Sequence, residues 1–372
     1  METLELLVGG QQAFPEILRA IENARHTLQI NMFIWRDDAI GNRMARAVAD
    51  AADRGVQVQI SADRYGVVLE KCEEAKRSFF HKKQNFREKL TIALLTFLYP
   101  GTCSRDQARD HESDLYRRVM THPNIRVSAD VFKADHSKYY IIDDEILFLG
   151  GVNIEDKEQG ADRQGRVYGD YMAKLTGRDY VRAFRAKLET GENLRADLFF
   201  GLNLKVPVRR FEMEQLYLDL INGAASQLHI TMAYFSPLDD FLDAILAAHA
   251  RGVQVTILVP ERANFQNDSN RKTLCKLLDA TSGGIRVYLS PKMLHTKLVM
   301  SEKLISFGST NITRKAFAQL NELNLFVPNE DSAFQRELLR SIQEDLAESR
   351  RVTRAEEIPY NKLLAFLEGF VV

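Results

Sequence analysis

Two stretches of this chain, HSKYYIIDDEILFLGGVN from His136 to Asn153 and LHTKLVMSEKLISFGSTN from Leu294 to Asn311, align when His136 is set on His295. Each has His-x-Lys, an apolar run of β type, a pair of small residues, one further residue and Asn. The likeness extends outward. QINMFIWRDD (Gln29–Asp38) matches HITMAYFSPLDD (His229–Asp240), and the helical patterns that follow both end on RGVQV, starting at Arg54 and Arg251. Earlier still, FPEILRAIENARHTLQI parallels EQLYLDLINGAASQLHI. A repeat of this length requires the same supersecondary unit to be built twice.

Within each copy the pattern reads helix, strand, helix, strand, then the His-Lys strand and its turn. The strand candidates LQINMFI, VQVQISA, KYYIID and ILFLG are short, apolar and bounded by charge or glycine. Their alternation with helices predicts α/β architecture with buried mixed or parallel sheets. The 372 residues fit two domains of ordinary size, drawn here as 1–190 and 191–372. The copies differ in length. Arg54 to Arg251 is 197 residues and His136 to His295 is 159, so the first copy holds 38 extra residues, which fall around 70–125 and are expected outside the duplicated core.

Fifty Lys and Arg against 51 Asp and Glu leave a net charge of −1. Bulk charge therefore names no partner, and a general nucleic-acid binder is more often basic overall. Cys72, Cys103 and Cys275 are scattered, without a CxxC pair, which fits a reducing, cytoplasmic setting. The start, METLELLVGGQQAF, lacks the basic region and apolar core of a signal peptide. The longest apolar run, LTIALLTFLY at Leu90–Tyr99, is about half of the roughly 20 residues that a bilayer span needs. A soluble or peripheral protein is expected.

A fold duplicated only for stability has no need of two polar clusters, so the repeated His, Lys and Asn point to one shared active site. Residues i and i+2 of a strand share a face, so His136 projects with Lys138 and His295 with Lys297. The turns return Asn153 and Asn311 toward them. Two imidazoles, two ammoniums and two amides suit a phosphodiester. Lys and Asn hold the non-bridging oxygens, one imidazole attacks phosphorus, and the other protonates the leaving oxygen and then deprotonates the incoming alcohol or water. Each imidazole also needs a partner on its second ring nitrogen. Each copy offers one candidate, Asp170 in YGDYMAKLTG and Glu322 in QLNELNLFV. The other histidines, His26, His81, His111, His122, His229 and His249, show no convincing ligand spacing, so no catalytic metal is expected.

These residues resemble the phospholipase D superfamily, whose mark is HxKxxxxD followed by a GG or GS turn and Asn. The first copy is complete, with His136, Lys138, Asp143, Gly150, Gly151 and Asn153. The second has His295, Lys297, Gly308, Ser309 and Asn311, with Glu302 where the family has Asp. In the family that acid serves the local turn more than the phosphate. MFIWRDDAIGNRMARAVADAADRGVQV, MAYFSPLDDFLDAILAAHARGVQVTILVP and GSTNITRKAFAQLNELNLFV are most similar to bacterial cardiolipin synthases and related phospholipases. The resemblance implies two duplicated α-β-α halves, each with a central mixed sheet, packed with pseudo-two-fold symmetry. It also implies ping-pong transfer through a phosphohistidine without metal or cofactor, with a phospholipid and an alcohol or water as substrates. His136 is expected as nucleophile, because its motif is complete and the related phospholipases favour the N-terminal His; His295 is then the acid and base. Many such synthases begin with transmembrane helices, which this sequence does not show.

In the inserted Lys71–Thr102, the cations Lys76, Arg77, Lys82, Lys83, Arg87 and Lys89 precede the apolar run, as at an anionic membrane interface or on a solvated helix packed on its own domain. The C-terminal YNKLLAFLEGFVV reads either as membrane-facing or, the favoured reading, as a docked helix. Two rival functions stand beside phospholipid chemistry: a nuclease of the same superfamily, against which the neutral charge and the insertion weigh, and an inactive lipid- or protein-binding module, against which both complete His/Lys/Asn sets weigh. The leading reading involves no nucleic acid and leaves the oligomeric state open.

Overall fold

The computed structural model describes residues 2–73, 76–80, 84–103, 112–129, 132–205 and 209–371; His81, Lys82, Lys83 and His111 lie outside them. The chain forms two compact units, Met1–Gly165 with Tyr171–Arg185, and Arg166–Asp170 with Ala186–Val372.

The first unit is built on β1 (Thr3–Val8), β2 (Thr27–Met32), β3 (Gln57–Ala62), β4 (Ile125–Ser128), β5 (Tyr139–Ile142) and β6 (Ile146–Gly150). A two-residue strand, β7 (Tyr168–Gly169), belongs to the second unit, and β8 (Tyr171–Thr176) returns to the first. The sheet order is β1-β8-β6-β5-β2-β3-β4, parallel across β2-β3-β4 and antiparallel elsewhere. Its helices are α1 (Gly9–Asn23), α2 (Ala39–Asp53), α3 (Arg64–Cys72), α4 (Phe86–Leu98), α5 (Asp114–Thr121) and α6 (Arg178–Glu189), the last running into the second unit.

In the second unit come β9 (Phe199–Leu204), β10 (Arg210–Phe211), β11 (Gln227–Met232), β12 (Phe235–Ser236), β13 (Gln254–Pro260), β14 (Arg286–Ser290), β15 (Met293–Leu294), β16 (Lys297–Ser301), β17 (Leu304–Gly308), β18 (Ile312–Thr313), β19 (Glu322–Pro328) and β20 (Arg350–Val352). Its helices are α7 (Met213–Gly223), α8 (Asp239–Ala250), α9 (Asn267–Thr281), α10 (Arg314–Ala318), α11 (Ala333–Glu348) and α12 (Lys362–Val371). The sheet order β10-β9-β19-β17-β16-β11-β13-β14-β20 repeats the seven-strand order of the first, with one further strand on each edge. The expected α/β duplication is present, two mixed sheets with the same strand order.

RGVQV recurs for a local reason. Gly55 and Gly252 hold φ of 97° and 89°, a region that favours glycine. There each ends its helix, with Val56 N–H bonded to the Ala51 carbonyl and Val253 N–H to that of Ala248, both at 3.1 Å. The two valines are buried, and the preceding Arg54 and Arg251 reach the carbonyls Ile21 O (3.0 Å) and Asn222 O (3.1 Å) near the ends of α1 and α7. One five-residue string thus stops a helix, caps its neighbour and starts a buried strand.

The length difference is also explained. β13 and β14 are joined by the single helix α9, whereas β3 and β4 are joined by α3, α4 and α5. The insertion does not lie wholly outside the core. Phe79 and Phe80 are buried against Trp35, with ring centroids at 5.8 and 5.4 Å. No local pattern signals this, because a Phe pair inside a basic stretch reads equally as surface. The C-terminal α12 docks on α9 as expected, with Ser269 N–H donating to Glu368 (2.7 Å) and Ser269 Oγ to Ala365 O (3.2 Å). Among the described residues no helix is long and apolar enough to cross a membrane.

Candidate active site

In each unit the His-Lys segment enters the middle of the sheet, next to the strand that opens the repeat. His136 and Lys138 lie in the extended lead-in to β5 rather than inside it, and His295 lies between β15 and β16. Sharing of a face does not depend on the strand assignment, because Lys138 Nζ donates to the carbonyl of His136 at 2.6 Å and Lys297 Nζ donates to that of His295. All four residues are buried, the lysines completely. Each lysine is thereby curled under its own histidine.

In the first unit the lead-in is pinned from below. Asn31 of β2 donates to Ser137 O and Oγ, both at 3.0 Å, and Asp63 after β3 accepts from the N–H groups of Tyr65 (2.8 Å), Lys133 (3.3 Å) and Asp135. Burial, opposed by those N–H groups, pushes the Asp63 carboxyl up to about 6, and burial likewise raises that of Asp135. The His136 ring packs edge-on against Phe33 with centroids at 4.8 Å, and the Lys138 ammonium lies 5.2 Å from the same ring.

In the second unit His295 meets Asp170, its Nδ1 lying 2.9 Å from Oδ2. Lys297 Nζ is also 2.9 Å from Nδ1 and is 3.6 Å from Asp170 Oδ2. Nδ1 can serve only one of these neighbours. An ammonium proton given to it would leave the carboxylate facing a ring nitrogen without hydrogen. The arrangement is satisfied when Nδ1–H donates to Asp170 and Lys297 directs its protons to the His295 carbonyl and the carboxylate. That tautomer leaves Nε2 as the reactive nitrogen. Asp170 directly follows β7, which pairs in parallel with β15, and His295 N–H donates to Gly169 O at 2.7 Å. Sequence alone offered one acid per copy without saying which histidine it serves; Asp170, which follows the first motif, serves the histidine of the second. Glu322, at the start of β19, is fully buried and accepts from Ser309 Oγ.

The turns carry the remaining motif residues. A Cβ on Gly150 would lie 2.2 Å from Tyr171 O, and one on Gly308 equally close to Leu323 O, so only glycine lets the neighbouring strand pass. Gly151 and Ser309 bond those same carbonyls through N–H at 3.0 and 2.9 Å. Asn153 and Asn311 follow, both buried, and the side-chain oxygen of each has no hydrogen-bond partner. Buried amides are normally satisfied, and the same group left unused at the same place in both units is what a ligand-facing amide looks like.

Asp143 and Glu302 do serve the turns. Asp143 accepts from the N–H groups of Arg25, His26 and Thr27 at 2.7–2.9 Å, and Glu302 from those of Ala225, Ser226 and Gln227 at 3.0–3.3 Å. The longer Glu reaches the same three donors, so the departure from Asp is absorbed. Partial burial alone would raise both carboxyls, but the N–H groups outweigh it and hold Asp143 below its usual range and Glu302 at about 2. A depressed folded-state value stabilises above the ordinary Glu range and is lost as pH falls toward 2. Glu302→Gln is therefore expected to cost about 2 kcal/mol at neutral pH, after discounting for partial exposure. The difference from the parent should shrink below pH 4.5. Urea melts across that range measure it, and a pH-independent difference would refute the electrostatic account.

Residues the sequence reading missed are Phe33, Tyr168 and Tyr234, whose rings flank the histidines; Tyr168 and Tyr234 lie 6.5 and 6.2 Å from His295. Phe33 and Tyr234 stand one and two positions beyond the repeated Met32 and Met232, a signal visible only once the strand ends were known.

A family described as "Cardiolipin synthase, PLD-like domain" matches residues 17–165 and 217–346. A cardiolipin synthase of Staphylococcus aureus is 25% identical, covering 98% of this chain and 72% of its own. One of Clostridium perfringens is 24% identical, covering 94% and 71%. Among solved structures, a phosphatidylserine synthase of Haemophilus influenzae has the same fold, with a TM-score of 0.67 at 15% identity over 98% of this chain and 91% of that one. A polyphosphate kinase of Porphyromonas gingivalis shares it at a TM-score of 0.57 and 12% identity, over 99% and 53%. With the repeated His-Lys-Asn clusters and the repeated sheet, these matches place the chain in the cardiolipin synthase family of phospholipase D-like enzymes.

Proposed function

We propose that the chain is a cardiolipin synthase-like phosphatidyltransferase working through a phosphohistidine. One imidazole Nε2 attacks the phosphorus of phosphatidylglycerol, the P–O bond to the glycerol head group breaks, and the other imidazole gives its proton to the departing alkoxide. That second imidazole then takes the proton of an incoming hydroxyl, which attacks phosphorus and releases the first. With a second phosphatidylglycerol as the alcohol the product is cardiolipin; with water it is phosphatidic acid. Lys138, Lys297, Asn153 and Asn311 hold the non-bridging oxygens as charge gathers on them. The observation that carries this reading is the pair of buried histidines, each with its own buried lysine bonded to the histidine carbonyl, repeated in both units.

Purified protein incubated with phosphatidylglycerol vesicles is expected to yield cardiolipin and one free glycerol per cardiolipin. Phosphatidic acid as the sole product would make it a hydrolase. Cleavage of single-stranded DNA without lipid turnover would overturn the lipid reading in favour of a nuclease.

A further inference from the structure

Helix α4 is apolar on more than one side. One face, Ile92, Leu95 and Leu98, is buried. The other carries Phe86, Leu90, Leu94 and Phe97 at spacings of four, four and three, which is one stripe of a helix, and these are 80%, 62%, 46% and 74% exposed. A water-facing helix normally puts charge there. Here the exposed charges beside the stripe are Arg87 and Lys89, both positive. Glu88 is the sole acid between Gln84 and Cys103, and it points inward as a bidentate partner of Arg64, with both contacts at 2.7 Å. The same Glu88 closes a capping box with Asn85, so the helix start is fixed.

We propose that this face of α4 seats on an anionic lipid surface, with Phe86, Leu90, Leu94 and Phe97 among the acyl chains and Arg87 and Lys89 at the phosphates. Charge complementarity selects this occupant, because a helix whose own exposed charges are both cations, its one acid withdrawn inward, matches an anionic bilayer. A second copy of the same face would bring like charges together. The helix is also tied to the chemistry. Arg64, which holds Glu88, is followed by Tyr65, whose ring meets Phe33 at 6.0 Å, and Phe33 packs on His136. The inference deepens the proposed function and rests on it only for the purpose of the docking.

The test uses the full chain and co-sedimentation with vesicles of phosphatidylglycerol and phosphatidylcholine. Leu90→Glu with Phe97→Glu should lower the partition coefficient about tenfold or more. Arg87→Gln with Lys89→Gln should lower it several-fold on these vesicles and leave binding to pure phosphatidylcholine unchanged. Both variants should melt like the parent and keep parental turnover of phosphatidylglycerol dispersed in detergent. Unchanged vesicle binding in a folded Leu90→Glu, Phe97→Glu variant overturns the proposal. So does a shift of that variant from dimer to monomer with vesicle binding intact, which would assign the face to self-association. Failure of the parent to turn over detergent-dispersed lipid counts against the proposed function alone, since vesicle binding is read without turnover.

Discussion

His136→Ala is expected to form no covalent adduct and to turn over phosphatidylglycerol about ten-thousand-fold more slowly than the parent. His295→Ala is expected to lose turnover to a similar extent, yet still to accumulate a phosphoryl-enzyme from a phosphodiester whose leaving group needs no proton. The asymmetry follows from the assignment of His136 as nucleophile and His295 as acid and base. It agrees with the second unit, where Asp170 beside Nδ1 offers a negative neighbour to a ring that must carry a proton. Mass spectrometry of the trapped enzyme locates the phosphoryl group. An adduct on His295 in the parent reverses the roles, and adduct formation by neither single variant removes the phosphohistidine altogether.

Arg36→Met should destabilise the first unit by about 3–5 kcal/mol, enough to move a urea midpoint well outside error. Arg36 is completely buried, with Glu73 at 2.7 Å and Glu155 at 3.1 Å, and Lys157 contacts the same two acids at 2.8 and 3.3 Å. These two cations and two carboxylates cancel. Burial, against the pull of Arg36, pushes a third acid, Glu70, up to about 8. Removing Arg36 leaves carboxylates uncompensated in the interior, which is the costly half of a buried ion pair. Glu70 adds a signature of its own. Its raised folded-state value means that stability is full below the ordinary Glu range and declines as pH rises from there toward 8, so Glu70→Gln should flatten that decline. A parent-like midpoint for Arg36→Met would show that the cluster reorganises around water.

What the sequence disclosed followed from periodicity and repetition. The alternation of helices and strands, the helix stops at RGVQV and the doubled His-Lys-Asn segments were legible, since each depends on residues near one another in the chain or on a copy to compare with; the turn-holding role of Asp143 and Glu302 came only with the family resemblance. The partnership of Asp170 with His295 was not, because 125 residues separate them and nothing local records which strand β7 joins. The Arg36 cluster was equally hidden; its members at 36, 73, 155 and 157 look singly like surface charges. The burial of Phe79 and Phe80, and the outward face of α4, needed the fold, because an all-apolar helix does not say which of its sides is covered.

Residues 166–170 have a consequence for inheritance. They come from the first copy in sequence, yet they contribute a strand and a carboxylate to the unit that holds His295. A fragment cut at the repeat boundary, beginning at Ala186, would carry the second motif without its strand neighbour or its acid. Chimeras between this chain and a relative face the same constraint. A crossover between 170 and 293 joins one parent's Asp170 loop to the other parent's His295 loop, whereas a crossover just before 166 or after 297 passes the pair on intact. The two halves therefore cannot be exchanged as independent cassettes, although their sheets share one plan.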